Sequence, residues 1–156
     1  MLAGMSWKLR KLDVLSTAVY LGCSQNTYKG SFMEIQKIAV IGLGRVGSAF
    51  LEQMLALKDK GIQIAYAVER NETPGKLLAK EAGIRLLTLD QLIALGSEVD
   101  IVFDLTGNAE ARRELREKLA ASNNRHTTIA PEAIARMMWT AMGGKALPDV
   151  HGSKGY

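Results

Sequence analysis

The chain has 156 residues, 47% of them hydrophobic, and a formal net charge of +4, which fits one domain with a sizeable core. Residues 1–32 carry a surplus of +3, from four basic residues against one aspartate, which leaves only +1 for residues 33–156. This nearly neutral body lacks the basic surface typical of a nucleic-acid-binding protein, so we expect no nucleic-acid partner.

The first 32 residues differ in pattern from the chain that follows. A basic run at residues 8–11 precedes a short apolar stretch at residues 14–23, an order that export and anchoring signals also show. However, Asp13 interrupts the apolar run, which is too short to span a bilayer. We therefore expect a non-core N-terminal extension, no membrane partner and a cytoplasmic location. An export signal and a short accessory helix stay open as alternatives.

From residue 37 onward, short apolar runs alternate with segments of helical periodicity. Strands are predicted at residues 37–42, 62–68, 84–89, 99–107 and 126–130, and helices at residues 45–61, 73–83, 90–97, 108–122 and 131–142. Thr73 and Asn108 are predicted helix caps, and Glu114 and Lys118 have the spacing of a helical ion pair. The pattern predicts an α/β domain over residues 33–143, with a doubly wound parallel sheet of about five strands in the order 3-2-1-4-5 and helices on both faces. The tail, residues 144–156, is expected to be loose.

The segment KIAVIGLGRVGSAF places a G-x-G-x-x-G motif between the first strand and the first helix. Gly42 would permit the tight turn, Gly44 would let a pyrophosphate approach the backbone, and Gly47 would let the helix lie close to the strand. Free backbone N–H groups at the helix start would face the phosphates. We therefore predict a dinucleotide site in this loop, which also includes Leu43, Arg45 and Val46. The side chains of Arg45 and Ser48 could contact the phosphates or could simply be solvated.

An acidic residue, Glu69, ends the second strand, twenty-two residues beyond Gly47. A carboxylate at this point can accept hydrogen bonds from both hydroxyls of an adenosine ribose and would repel a 2′-phosphate. It therefore favours binding of NAD over NADP. Arg70 keeps NADP open as the alternative, because it could stack on adenine or bind a 2′-phosphate. Without a cofactor, Glu69 would be an ordinary polar residue at a strand end.

The segment DLTGN follows the fourth strand, which should lie beside the first strand in the sheet. Loops that diverge from two such strands line a ligand crevice. Thr106, Gly107 and Asn108 are therefore candidate contacts to the nicotinamide side of the cofactor, although Asn108 also serves as a helix cap and Gly107 as a turn former. Asp104 is expected to be a satisfied polar residue rather than a catalytic one.

Catalytic and metal-binding constellations are not recognisable in the sequence. The single cysteine, Cys23, allows neither an internal disulfide nor a multi-cysteine metal site, and His126 and His151 lack ligand spacing. Lys145 falls, like His151, in the tail that is expected to be loose, where a reacting group is poorly held. We predict no metal site, and the catalytic residues stay unassigned.

Three segments, KIAVIGLGRVGSAF, AVER and VDIVFDLTGNAEARREL, together resemble the NAD(P)-binding Rossmann superfamily. The nucleotide-binding domains of homoserine dehydrogenase-like and glucose-fructose oxidoreductase-like enzymes are similar, and GLGRVG is also similar to NAD-binding domains that regulate potassium transport. The resemblance covers residues 36 to about 130 and implies cofactor contacts at Gly42, Gly44, Gly47, Glu69 and Thr106. The similar dehydrogenases carry a second, substrate-binding domain, and only about 26 residues follow Ala130.

Two functions fit these features. The first is an NAD(H)-binding module that senses redox state or a ligand and catalyses nothing by itself. The second is an NAD(P)-dependent oxidoreductase, either a fragment or an enzyme whose substrate site another domain or subunit completes; a scaffold without a ligand is a third reading. The last predicted helix carries an apolar stripe that would serve as core, or as the contact to a protein partner or a second copy: Ile134, Met137, Met138, Trp139 and Ala141.

Overall fold

The computed structural model describes residues 35–143, which form five parallel strands and five α-helices in alternation. The strands are β1 (Gln36–Ile41), β2 (Ile62–Val68), β3 (Arg85–Leu86), β4 (Ile101–Asp104) and β5 (Thr128–Pro131). The helices are α1 (Arg45–Leu55), α2 (Pro74–Glu81), α3 (Leu89–Ala94), α4 (Ala109–Ala121) and α5 (Glu132–Ala141). The predictions for residues 1–32 and 144–156 lie outside the described residues.

The strand β1 lies at the centre of the sheet, whose order is β3-β2-β1-β4-β5. It pairs in parallel with β2 on one side and with β4 on the other, so that Val40 lies between Ala67 and Phe103. The predicted order and parallel direction of the strands are confirmed. Because the chain continues to opposite sides of the sheet after β1 and β4, the loops that follow them diverge and leave a crevice at the carboxyl edge.

The hydrophobic core is divided between the two faces of the sheet. Ile38 and Val40 belong to the cluster with α1, α2 and α5, whereas Ala39 and Ile41 belong to the cluster with α3 and α4. Side chains alternate between faces along a strand, so an unbroken apolar run is buried on both sides. The three-layer α/β/α architecture is therefore a direct consequence of the KIAVIG pattern and its equivalents in the other strands.

The third strand is shorter than predicted, because its last residues belong to the start of a helix. Thr88 Oγ1 accepts a hydrogen bond from the Gln91 N–H at 3.2 Å, and Gln91 Oε1 accepts one from the Thr88 N–H at 2.9 Å. This reciprocal capping box begins α3 at Leu89. The prediction of a strand over residues 84–89 is therefore wrong beyond Leu86.

The apolar residues of α5 do not pack as the single stripe that the sequence predicts. Ala135 is fully buried, and Met138, Trp139 and Met142 pack against the core, but Ile134 and Met137 are exposed by 39% and 61%. The buried face of α5 runs through positions 135, 138 and 142, which share one side of a helix. None of the described helices combines the length and apolar character needed to cross a membrane.

Candidate functional site

A crevice of about 280 Å³ opens at the carboxyl edge of the sheet, between the loops that follow β1, β2 and β4. Six of the predicted cofactor-binding residues line it: Gly42, Gly44, Glu69, Arg70, Thr106 and Asn108. The other predicted residues lie in the same loops or in the first turn of α1 without lining the crevice: Leu43, Arg45, Val46, Gly47 and Gly107. The fold therefore gathers segments that lie more than sixty residues apart in the chain.

The three glycines of the first loop meet different surroundings. Gly42 has a φ of +87°, and a Cβ there would lie 2.8 Å from the backbone of Thr106. A Cβ on Gly47 would overlap the Gly42 carbonyl oxygen, so α1 can approach the strand only with glycine here. Within the described residues, a Cβ on Gly44 would meet nothing within 4 Å. The first and third glycines are thus required by packing, whereas the second faces open space.

The amino end of α1 offers free backbone donors beside Gly44. Gly44 is the N-cap residue, and within the described chain no side chain caps the helix and no acidic residue lies in its first turn. The first N–H groups of a helix have no acceptor inside it and carry its partial positive charge. This end of α1 is consequently suited to an anion.

The side chains around the first loop are mostly directed away from the crevice. Leu43 and Val46 are buried in the core, so only their backbone atoms can meet a ligand. The Ser48 hydroxyl donates to the Leu43 carbonyl oxygen at 2.8 Å and is therefore engaged within the loop. Arg45 is exposed and free to reach outward.

Glu69 binds the backbone of two loops. Its Oε2 accepts a hydrogen bond from the Leu43 N–H at 2.6 Å, and its Oε1 accepts one from the Asn71 N–H at 2.8 Å. The carboxylate thus holds the glycine loop against the end of β2. Each carboxylate oxygen has a second lone pair, so Glu69 keeps acceptor capacity for a ribose hydroxyl. Its motif spacing predicts the ribose contact but gives no sign of this bracing role.

Asp104 orients the wall opposite the glycine loop and is only 1% exposed. Its Oδ1 accepts hydrogen bonds from the Thr106 hydroxyl at 2.7 Å and the Thr106 N–H at 3.2 Å. Its Oδ2 accepts one from Arg112 Nε at 2.9 Å, which pairs the buried charge. As predicted, Asp104 is a satisfied polar residue, and it fixes Thr106 at the crevice surface.

Asn108 caps α4, as predicted. Its Oδ1 accepts hydrogen bonds from the N–H groups of Glu110 and Ala111 at 2.9 and 3.2 Å. The preceding Gly107 has a φ of +61°, which is the turn-forming role that its sequence position indicates. Both residues therefore have structural roles, and their contact to a cofactor stays a prediction.

An ion pair joins the β2 side of the crevice to α4. Arg70 Nη2 lies 3.2 Å from Glu114 Oε2, and Glu114 Oε1 lies 3.0 Å from Lys118. The hydrogen bond from Lys118 is the largest influence on Glu114 and lowers the pKa of its carboxyl group. The predicted ion pair of Glu114 and Lys118 is confirmed, but no sequence pattern predicts that Glu114 lines the crevice.

Gly75 is a second residue whose role sequence reasoning missed. A Cβ there would overlap the Ser48 hydroxyl and lie 2.9 Å from the Leu43 carbonyl oxygen. The amino end of α2 therefore packs directly on the back of the glycine loop. The sequence Thr73-Pro74-Gly75 does indicate this role, because a glycine that follows the cap, inside the first helical turn, marks close packing.

Comparisons with known proteins identify relatives of this domain. The family described as NADP oxidoreductase, coenzyme F420-dependent, matches residues 37–134. Dihydroxy-acid dehydratase of Caldanaerobacter subterraneus subsp. tengcongensis is 36% identical over 64 residues, which are 41% of this chain and 11% of that protein.

The chain is also similar to solved structures. GenD2 from gentamicin A biosynthesis, in complex with NAD, is 23% identical with a TM-score of 0.50, over 74% of this chain and 35% of that one. Homoserine dehydrogenase of S. aureus is 16% identical with a TM-score of 0.47, over 70% and 30% of the two chains. The chain thus spans about a third of the length of each of these structures.

Proposed function

Because the chain belongs to the family of NADP oxidoreductases described as coenzyme F420-dependent, we propose that its crevice binds NAD(H) and that the domain serves an oxidoreductase. Family membership confirms the NAD(P)-binding Rossmann domain that the three sequence segments predict. NAD(H) as the preferred form, and a substrate site completed outside residues 35–143, belong to the proposal. The observation that carries it is the uncapped amino end of α1 beside open space at Gly44.

The glycine loop fits a pyrophosphate group. Free N–H groups at the start of α1 supply donors and positive potential, and the missing Cβ of Gly44 leaves room for close approach. Arg45 is exposed at the same helix end and adds a positive charge. These groups would hold the two phosphates of a dinucleotide.

Glu69 fits the adenosine ribose. It follows β2, lines the crevice, and is held in place by the backbone N–H groups of Leu43 and Asn71. A carboxylate held in place accepts hydrogen bonds from the two ribose hydroxyls and repels a 2′-phosphate. This supports a preference for binding NAD(H) rather than NADP(H). The pair of glycine loop and acid would orient the dinucleotide along the crevice.

The nicotinamide end of the cofactor would lie toward Thr106, on the opposite wall. The bound cofactor supplies the hydride chemistry, and the protein has to bind and orient it. Among the described residues, the side chains that line the crevice include no histidine, lysine, cysteine or tyrosine. This composition supports an acid–base group from outside the domain, and it also favours a redox-sensing module as the second candidate function.

A calorimetric titration of the full chain with NADH and with NADPH tests the proposal. We expect NADH to bind more tightly, and Glu69→Ala to weaken NADH binding while narrowing the difference between the two cofactors. Failure to bind either nucleotide at millimolar concentration would overturn the proposal. An unchanged preference in Glu69→Ala would show that this carboxylate does not contact the ribose.

A second experiment separates the enzyme from the sensor. Oxidoreductase activity should appear when the chain is combined with the protein part that completes its substrate site, and it should be lost in Gly44→Val. A chain that binds NADH, changes its oligomeric state or partner binding with the NADH/NAD ratio, and never oxidises NADH in such mixtures would favour the sensor.

A further inference from the structure

The ion pair of Arg70 and Glu114 lies beside the residue that we assign to the ribose. Arg70 directly follows Glu69, and its guanidinium reaches across to Glu114 on α4 at 3.2 Å. Both members of the pair line the crevice together with Glu69. Any group attached to the ribose hydroxyls would therefore enter a space that holds one guanidinium and two carboxylates.

Glu114 is a fixed and charged partner for Arg70. Its other oxygen contacts Lys118 at 3.0 Å, and Lys118 in turn contacts Asp90 of α3. The hydrogen bond from Lys118 is the largest influence and lowers the pKa of Glu114; burial opposes it with a smaller effect, and the hydrogen bond from Arg70 lowers the pKa further. The Glu114 carboxylate is therefore ionised at neutral pH, and Lys118 holds it in place while it contacts Arg70.

A 2′-phosphate would compete with Glu114 for the Arg70 guanidinium, whose Nη2 donates a hydrogen bond to Glu114. Arginine recognises a phosphate through its planar fork of N–H groups, and a carboxylate competes for the same fork. Glu69 adds a negative charge at the crevice, whereas the positive charge of Lys118 is already paired with Glu114 and Asp90. The arrangement disfavours a further dianion at this point.

We propose that Glu114 sets the cofactor preference of the crevice, because it holds the Arg70 guanidinium on α4 and away from a 2′-phosphate. The proposal rests on the function proposed above and deepens it. Cofactor choice in this domain then depends on a residue of α4, forty-five positions after Glu69 in the chain, as well as on the acid that ends β2.

The variant Glu114→Gln tests the proposal, because it removes the charge and keeps the size of the side chain. We expect the NADPH dissociation constant to fall by about fivefold at low ionic strength, with the NADH constant changed by less than about twofold. An equal gain for both cofactors would overturn the proposal, since Arg70 would then act on the shared adenine. No change for NADPH would overturn it as well.

The second variant, Glu114→Gln with Arg70→Gln, tests the route of the effect. The gain in NADPH affinity should disappear, because no guanidinium is left to bind the phosphate. Glu117→Gln is the matched control: it removes the same charge from an exposed position on α4, where Glu117 contacts Arg113 rather than Arg70. A gain that persists in the double variant, or that the control reproduces, would show an unspecific charge effect and contradict the proposal.

The same titrations separate this proposal from the proposed function. If the unmodified chain binds neither nucleotide, both fail together. If it binds NADH and Glu114→Gln has no selective effect on NADPH, only the role of Glu114 fails. Thermal melting of each variant shows whether it is folded, and we expect melting temperatures close to that of the unmodified chain because Arg70 and Glu114 are 75% and 39% exposed.

Discussion

The helices α1 and α4 both begin at the crevice, but α4 is capped by its own chain and α1 is not. Asn108 accepts hydrogen bonds from two N–H groups of α4, and Glu110 adds a negative charge in its first turn. Gly44 gives α1 no cap, and Arg45 adds a positive charge instead. A helix end that is satisfied internally needs no ligand, whereas the end of α1 gains most from an anion. This difference supports the proposal that the phosphates bind at α1.

Gly47→Ala should have the largest effect on stability, because it forces the start of α1 away from the end of β1. The added methyl group would overlap the Gly42 carbonyl oxygen, a backbone atom that has no other rotamer to adopt. We expect a loss of about 3 kcal/mol in the free energy of unfolding, measured by chemical denaturation. The control is Ala49→Gly in the same helix, which should cost only about 1 kcal/mol. A stable Gly47→Ala protein would contradict the tight approach.

Gly44→Val should abolish NADH binding without a comparable loss of stability. The φ of Gly44 is −68°, and a Cβ would meet nothing within 4 Å of the described residues, so the valine fits the protein alone. It would fill the space that a pyrophosphate needs, so we expect no NADH binding to be detected by calorimetry. Thr140→Val, on the exposed side of α5, is the control. NADH binding that survives in Gly44→Val would place the phosphates elsewhere.

Asn108→Ala should affect stability more than cofactor binding, the reverse of Gly44→Val. Loss of the cap leaves two N–H groups of α4 without their acceptor, which costs about 1 kcal/mol in the free energy of unfolding. Asn108→Asp should keep the stability, because aspartate is an equally good cap. A large loss of NADH affinity in a folded Asn108→Ala protein would show that the predicted contact of this amide to the cofactor outweighs its role as a cap.

Arg45→Glu should have the smallest effect and opposite signs in two measurements. A negative charge in the first turn of α1 complements the helix dipole, which should raise the free energy of unfolding by about 0.5 kcal/mol. The same charge should weaken NADH binding severalfold, because it competes with the phosphates for the same helix end. Arg45→Gln removes only the positive charge. Its stability and NADH affinity should therefore lie between those of the unmodified chain and those of Arg45→Glu. Stronger NADH binding in Arg45→Glu would refute the anion site at α1.

Local sequence patterns predicted the strand order and six of the residues that line the crevice. The alternation of apolar runs and helices, the glycines at 42, 44 and 47, and the acid at 69 are each readable within short segments. The miss in β3 was also local, since Thr88 and Gln91 form a capping box that competes with strand pairing. Element boundaries depend on such competition between neighbouring hydrogen bonds, which composition and periodicity do not resolve.

By itself, the sequence determined the sheet, the glycine loop and the acid at the end of β2, because each follows from backbone geometry and side-chain type within a few residues. Only the tertiary structure showed that Glu69 braces the loop through the Leu43 N–H, that Gly75 packs on the Ser48 hydroxyl, and that Glu114 reaches Arg70. These contacts join residues from separate elements. Their partners are decided by how helices pack on the sheet, and no spacing along the chain encodes that packing.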